Sequence, residues 1–458
     1  MRDAERLKEL QALPLYRKIM ITQTRIMDWY QHYDGNVCVS FSGGKDSTVL
    51  LHIARQMYPG IPAVFSDTGL EFSAIREFVK TWDNVDIIRP DMNFGQVITT
   101  YGYPIIGKEV AEAIYYARRI RPSGERERER EDGQQSSIIA ESSWASGQPH
   151  RDKRSEKQKN DSARTVGREV DWKRLEIGGA EPQESGDQRF AHDRREPQPT
   201  AKSRGSETFW KRAEITGRYR NSRKAGVAGP TKSQFNKEKW LPLAREAPFL
   251  ISHYCCFKMK KSPIHKYQTA HKYKPILATL AEESRVRKQA WIRHGCNAFE
   301  SKNPMSQPMS FWTEQDVLAY IVKYHLPIAS VYGDIVSIGT DGNSYPAVDV
   351  TGEVQCNLKC SGCQRTGCVF CGFGAHLEKG ETRFQRLAFE EPRKYEFCIG
   401  GGEWIDNPFY DPAAPVWDGE WKNWNPKKIW SRNGKGLGLG KVFDICNEMY
   451  GKDFIRYD

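Results

Sequence analysis

The chain has 458 residues, enough for one large α/β domain with additions or for two or three domains. No apolar run approaches the roughly 18 residues of a membrane span, and the charged start MRDAERLKEL lacks a signal-peptide core; a cytoplasmic location is expected. There the eleven cysteines read as thiols or metal ligands rather than disulfides, and a formal charge of +11 favours anionic partners, nucleotide or nucleic acid.

Residues 5–33 carry Leu7, Leu10, Leu13, Ile19, Ile26, Trp29 and Tyr30 among charged positions, the pattern of solvated helices packing one apolar face. The next stretch organises the rest. Val37, Val39 and Phe41 alternate as in a buried strand, and Ser42-Gly43-Gly44-Lys45-Asp46-Ser47 makes a tight polar loop. Val49, Leu50, Ile53, Ala54 and Met57 then recur at helical spacing. Where such a loop enters a helix, backbone N–H groups and the positive end of the helix dipole converge on one point. The glycines allow close approach of an oxyanion, Lys45 adds charge, and Ser42 and Ser47 add hydroxyls. The loop is not a Walker A motif, which needs glycine where Val39 stands. On these residues alone it is either a phosphate cradle or an ordinary Gly-Gly turn. Asp46 either binds Mg²⁺ or caps the helix.

Val64 and Phe65 predict a second strand ending at Ser66-Asp67-Thr68-Gly69, followed by the helical stripe Phe72, Ile75, Phe78, Val79 and Trp82. Val85, Ile87 and Ile88 predict a third strand. The alternation predicts an α/β fold with a doubly wound, mostly parallel sheet, whose ligands sit beyond the carboxyl ends of the strands. Residues 121–205 open GERERERED and remain rich in Arg, Glu, Gln, Ser and Gly, a composition unable to bury enough apolar surface to offset ordering entropy. The predicted organisation is therefore residues 1–120 and 206–345 as two parts of one nucleotide-binding domain, 121–205 as a disordered insertion, and 346–458 as a cysteine-rich and C-terminal region.

Adjacent Cys255 and Cys256 lie beside Lys258, Lys260 and Lys261, and such a basic field favours thiolate. Cys356, Cys360, Cys363, Cys368 and Cys371 crowd a Gly-rich loop and read as a metal site; a tetrathiolate zinc within that loop is one solution. Glu283-Ser284-x-x-Arg287 offers either an anion contact or helix-surface ion pairs. Thr313 with Asp316 has capping-box spacing. The glycine runs at 400–402 and 434–440 read as loops, and Cys398 and Cys446 as buried thiols.

In chain order, SGGKDS, SDTG, Tyr101-Gly102-Tyr103-Pro104, Cys255-Cys256, Glu283-Ser284-x-x-Arg287, Trp312-Thr313…Asp316-Val317 and Gly367-Cys368-x2-Cys371 resemble the PAPS (phosphoadenylyl-sulfate) reductase family. That family belongs to the adenine-nucleotide alpha-hydrolase-like group, and the resemblance spans roughly residues 36–372 apart from the insertion. It implies that Ser42, Gly43, Gly44, Lys45 and Ser47 hold phosphates of ATP, adenylyl sulfate or PAPS, with Asp67, Thr68 and Gly69 near the nucleotide and Arg287 reaching phosphate or sulfate. Lys45 and Asp46 would serve the chemistry, Asp46 through Mg²⁺. It also implies a [4Fe–4S] cluster on Cys255, Cys256, Cys368 and Cys371, competing with the zinc solution for the last two.

The reductases of this family end in a Glu-Cys-Gly-Leu-His tail that supplies the attacking thiol, whereas this chain ends KDFIRYD. The expected function is thus ATP pyrophosphatase-type activation at the α-phosphate for sulfur transfer, as in nucleic-acid thiolation or phosphorothioation. A sulfur-donor protein such as a cysteine desulfurase, and DNA or tRNA, are the expected partners. Two alternatives stay open: a sulfonucleotide reductase releasing sulfite, and a zinc-bearing nucleic-acid-binding protein without catalysis.

Overall fold

The computed structural model describes residues 2–118, 237–413 and 424–458. All belong to one of two compact units, Met1–Arg119 with Ala213–Asp458; the other, Ile120–Arg212, lies outside the described residues, as does the predicted insertion at 121–205.

The N-terminal periodicity becomes two helices, α1 (Arg2–Gln11) and α2 (Leu15–His32), separated at Pro14. Their packing face is less solvated than the sequence predicts. Lys18 is buried and pairs with Asp316 at 2.6 Å, and Thr22 accepts from the Trp312 indole at 2.9 Å. These contacts fasten α2 to the helix Glu314–Lys323, whose start is the predicted Thr313–Asp316 capping box.

The strands are β1 (Val37–Ser40), β2 (Ala63–Ser66), β3 (Val85–Ile88), β4 (Ile105–Ile106), β5 (Lys274–Ile276), β6 (Asn297–Ala298) and β7 (Met305–Ser306). Six of them form one sheet in the order β3-β2-β1-β5-β7-β6, with only β6–β7 antiparallel. Val37, Cys38 and Val39 are fully enclosed because helices cover both faces of a parallel sheet. Helix α3 (Lys45–Met57) supplies part of that cover, burying Val49, Leu50, Leu51, Ile53 and Ala54, each contributing about 1.5–3 kcal/mol relative to exposure for the larger side chains. Helix α4 (Ser73–Lys80) buries Ile75, Phe78 and Val79, the predicted stripe.

β1 holds the topological switch. The chain runs from it to β2 and β3 on one side, while β5 and β7 complete the other side, so the sheet parts at the carboxyl end of β1. β5 and β7 come from beyond residue 236 yet share this sheet with β1–β3. β4 stands apart, pairing in parallel with Gly372–Phe373, while Tyr103 just before it bridges to Ile251. One short segment thus holds the chain leading to Cys255 and the chain leaving Cys371. Gly102 has φ +116°, and a Cβ there would lie 2.4 Å from the Leu250 carbonyl carbon, so this junction requires glycine.

Arg118 closes another junction. Its guanidinium donates to the carbonyls of Leu243, Ala244, Ala247 and Phe249 at 2.5–3.0 Å and lies over the Trp424 ring. Cys398 and Cys446 are fully buried, as the sequence suggests. No helix among the described residues is long and apolar enough to cross a membrane.

Candidate active site

The Ser42–Ser47 loop is built as a turn rather than a floppy link. Gly43 adopts φ +70°, and a Cβ there would sit 2.8 Å from methyl carbons of both Ile75 and Val79, so the loop packs directly on α4. Ser47 Oγ accepts from Ser42 N at 3.1 Å and donates to the Gly44 carbonyl at 2.9 Å, while the Ser42 hydroxyl lies 3.0 Å from it. Gly44 is the N-cap of α3 and no side chain caps the helix; Asp46 in the first turn is not the cap. The first N–H groups of α3 therefore point outward without helical partners.

Lys45 is buried at 4 % exposure, an unusual place for an ammonium. Its Nζ donates to Glu314 Oε1 and to the Gln364 carbonyl, both at 2.5 Å, leaving one of three donors uncommitted. Its backbone N–H donates to the Tyr332 hydroxyl at 3.3 Å, which in turn lies 2.6 Å from Thr366 Oγ1. Asp46 Oδ1 is enclosed and has no hydrogen-bond partner. Burial pushes the Asp46 carboxyl above its ordinary range, against the opposing pull of Lys45, Arg365 and Arg287.

The loop faces a cleft of about 590 Å³. Ser42, Gly44, Lys45 and Asp46 form one wall; Cys363 through Gly367 and the segment Glu378–Arg386 contribute the other. Lys379, Arg383 and Arg386 bring positive charge, partly balanced by Arg383 pairing with Glu378 and Arg386 with Glu381. A concave, charged crevice at a sheet switch point suits a phosphorylated ligand.

The remaining predicted contacts lie elsewhere. Asp67 is buried and bound to Arg76 at 2.8 Å and to the Gly69 N–H at 3.2 Å, while Thr68 donates to Glu71. None of Asp67, Thr68 and Gly69 lines the cleft. That turn is wired instead toward the cysteine segments: Glu71 pairs with Lys260 at 3.4 Å, and the Leu70 carbonyl accepts from Val369 N at 2.7 Å. Arg287 pairs with Glu283, whose other oxygen lies 3.3 Å from Arg365. It is the helix-surface pair, although its charge still acts on Asp46. Glu314, Tyr332 and Gln364 have no distinctive spacing in the sequence; their importance comes from contacts made across some 270 to 320 positions.

Cys255, Cys256, Cys368 and Cys371 lie within one another's fields. Burial drives the Cys255 thiol upward, and neighbouring Cys368, Cys371 and Cys256 add to it while Lys260 opposes. Cys371 is pushed up to about 11 by burial and then by Cys368. Lys260 lies in the field of Cys368 and pairs with Glu71 at 3.4 Å. A [4Fe–4S] cluster takes four thiolate ligands, the number these two distant segments carry between them. Among the described residues, no three His, Cys, Asp or Glu side chains are grouped to hold a metal ion. Cys356, Cys360 and Cys363 do not join the set: Cys356 is exposed, and Cys360 and Cys363 are buried, with Lys45 among the charges that act on both.

Comparison with known proteins falls on the same stretch. The family model described as phosphoadenosine phosphosulfate reductase domain matches residues 36–105, from the start of β1 to β4. An uncharacterized protein of Methanocaldococcus jannaschii is 35% identical over 69 residues, which span 14% of this chain and 17% of that relative.

Proposed function

We propose that this chain, with its PAPS-reductase domain at residues 36–105, is an adenine-nucleotide-dependent enzyme of sulfur transfer that activates its substrate at the α-phosphate of ATP. The observation that carries this reading is the Ser42–Ser47 loop at the sheet's switch point, opening on a cleft lined by both basic and acidic side chains with Lys45 and Asp46 at its mouth. The first-turn N–H groups of α3 that follow Lys45, whose own N–H goes to Tyr332, and the remaining Lys45 Nζ donor bind phosphate oxygens. Glu314 and the Gln364 carbonyl hold the ammonium in place so that no reorganisation is needed when charge develops. Asp46 Oδ1, enclosed and unpartnered, is a hard oxygen donor suited to Mg²⁺, which would neutralise phosphate charge when bound. Positioning and electrostatics supply the rate.

Cys255, Cys256, Cys368 and Cys371 would hold a [4Fe–4S] cluster, making the region from 346 onward partly metal-binding; when bound it supplies iron able to take up sulfur or electrons. A persulfide-carrying protein such as a cysteine desulfurase as donor, DNA or tRNA as acceptor and a cytoplasmic location complete the reading. The net charge of +11 supports a polyanionic acceptor.

A second reading, reduction of adenylyl sulfate or PAPS to sulfite, is favoured by the family match and by the Cys363 thiol in the cleft. Product analysis separates them. Anaerobically purified protein is given Mg-ATP, adenylyl sulfate or PAPS in turn, with bulk tRNA and DNA present. AMP and pyrophosphate from ATP are the expected products. Sulfite from a sulfonucleotide, with ATP left intact, would transfer the assignment to the reductase.

A further inference from the structure

We propose that the exposed face of the helix Arg285–His294 is the docking surface for a folded RNA, holding its phosphate backbone beside the cleft so that an unstacked base can enter. This surface rests on the reading of the cleft as a site of sulfur transfer to a nucleic acid.

The helix is basic along its whole length. Its sequence, RVRKQAWIRH, contains Arg285, Arg287, Lys288, Arg293 and His294 and no acid. Ser284 caps it, accepting from Arg287 N at 3.2 Å, and Trp291 turns inward at 7 % exposure. Arg285, Gln289 and Arg293, spaced i, i+4 and i+8, are left as one row facing solvent. Among the described residues, only Arg287 of these pairs with an acid, Glu283, so Arg285 and Arg293 keep their charge for a partner. By contrast α1, which packs against this helix, carries three acids and three bases, the mixture of an ordinary solvated surface. Val286, 77 % exposed, is the only large apolar side chain that the helix shows to solvent. A membrane or an apolar protein core therefore finds no strip there to bury.

The segment also reaches the cleft. Glu283, two residues before the helix, lines it and pairs with both Arg287 and Arg365, the latter at 3.3 Å. Arg365 is a lining residue too, so the basic helix begins at the cleft's rim. From Arg285 to Arg293 the row spans about 12 Å of axis, at about 1.5 Å per residue. A nucleic-acid strand carries a phosphate about every 3.4 Å of helix axis, so the row runs past several of them, whereas a small anion would meet only one of the two guanidinium groups. An acceptor base has to leave its stack to enter a cleft in a protein. Loops of a folded RNA present bases already unstacked, while a DNA duplex must first unpair and flip one out. A stem for the row and a loop for the cleft are both found in a folded RNA.

The test measures binding of labelled bulk tRNA to the full-length protein by fluorescence anisotropy over a salt series, with Mg-ATP binding and circular dichroism read separately. Wild type should bind tRNA, and more tightly than a DNA duplex of equal phosphate number. Arg285→Gln combined with Arg293→Gln should bind tRNA roughly tenfold more weakly, and the slope of log affinity against log salt should shrink by about 2, one for each lost phosphate contact. Its Mg-ATP affinity should stay that of wild type. Gln289→Lys, which adds a cation to the row, should bind tRNA more tightly and decides the question should the double variant fail to fold. Unchanged tRNA affinity and slope in the folded variants would overturn this surface while leaving the acceptor reading intact. Equal or tighter binding of the DNA duplex would overturn the choice of RNA. A wild type that binds neither would overturn both this surface and the nucleic-acid acceptor.

Discussion

Asp46 shows how a single side chain can be costly to the fold and useful to the ligand. Its Oδ1 is enclosed without a partner, and burial raises its pKa. The folded state therefore holds the proton more tightly than the unfolded chain. As pH rises through about 4, where an exposed aspartate ionises, the unfolded state gives up its proton first and stability falls; the penalty is complete once the folded carboxyl has ionised. Asp46→Asn should then raise stability at neutral pH by about 1 kcal/mol, with a smaller gain near pH 4, in urea unfolding at the two pH values. The same variant should bind Mg-ATP roughly tenfold more weakly, about 1.4 kcal/mol. Loss of stability at neutral pH would contradict this account of the carboxylate. The loop's residue types are legible from sequence because each has a local purpose: glycine for φ +70°, serine hydroxyls for the turn, lysine for charge. The partners of Lys45 are not, since Glu314 looks in sequence like any first-turn acid of a helix.

Among the elements, α3 and α4 follow from periodicity, because each buries a face that its own spacing defines, while β1 and β2 are short apolar runs enclosed on both faces and β3 is an edge strand with Ile87 exposed. β4 is different. It is two residues long, and it matters because it joins Gly372–Phe373 on one side while adjacent Tyr103 meets Ile251 on the other. No local pattern announces such a junction. Gly102→Ala tests it, since the added Cβ would press within 2.4–2.6 Å of the Leu250–Ile251 backbone. The expected result is about 1–3 kcal/mol lost from stability and faster modification of Cys255 by a thiol reagent. Anaerobically isolated wild-type protein should carry about four irons and four sulfides per chain, and Gly102→Ala should carry fewer. A colourless zinc protein would remove the cluster assignment while leaving the cleft untouched.

At the scale of the molecule, the sheet is completed by strands on both sides of residues 119–236, so the Ser42–Ser47 loop and the helix bearing Glu314 meet although 269 positions separate Lys45 from its partner. The doubly wound class was readable from the alternation of strands and helices. The cleft was not, because its far wall comes from residues 363–386, whose sequence advertises cysteines and charges but no binding pattern. On the proposed reading, an adenine nucleotide would be held between that wall and the loop after β1. Equilibrium binding of Mg-ATP to wild type and Lys45→Ala, with circular dichroism to verify folding, measures this directly. Wild type should bind, and the variant should bind roughly tenfold to a hundredfold more weakly, about 1.4–2.7 kcal/mol. Equal affinity in a folded Lys45→Ala protein would place the nucleotide somewhere other than this cleft.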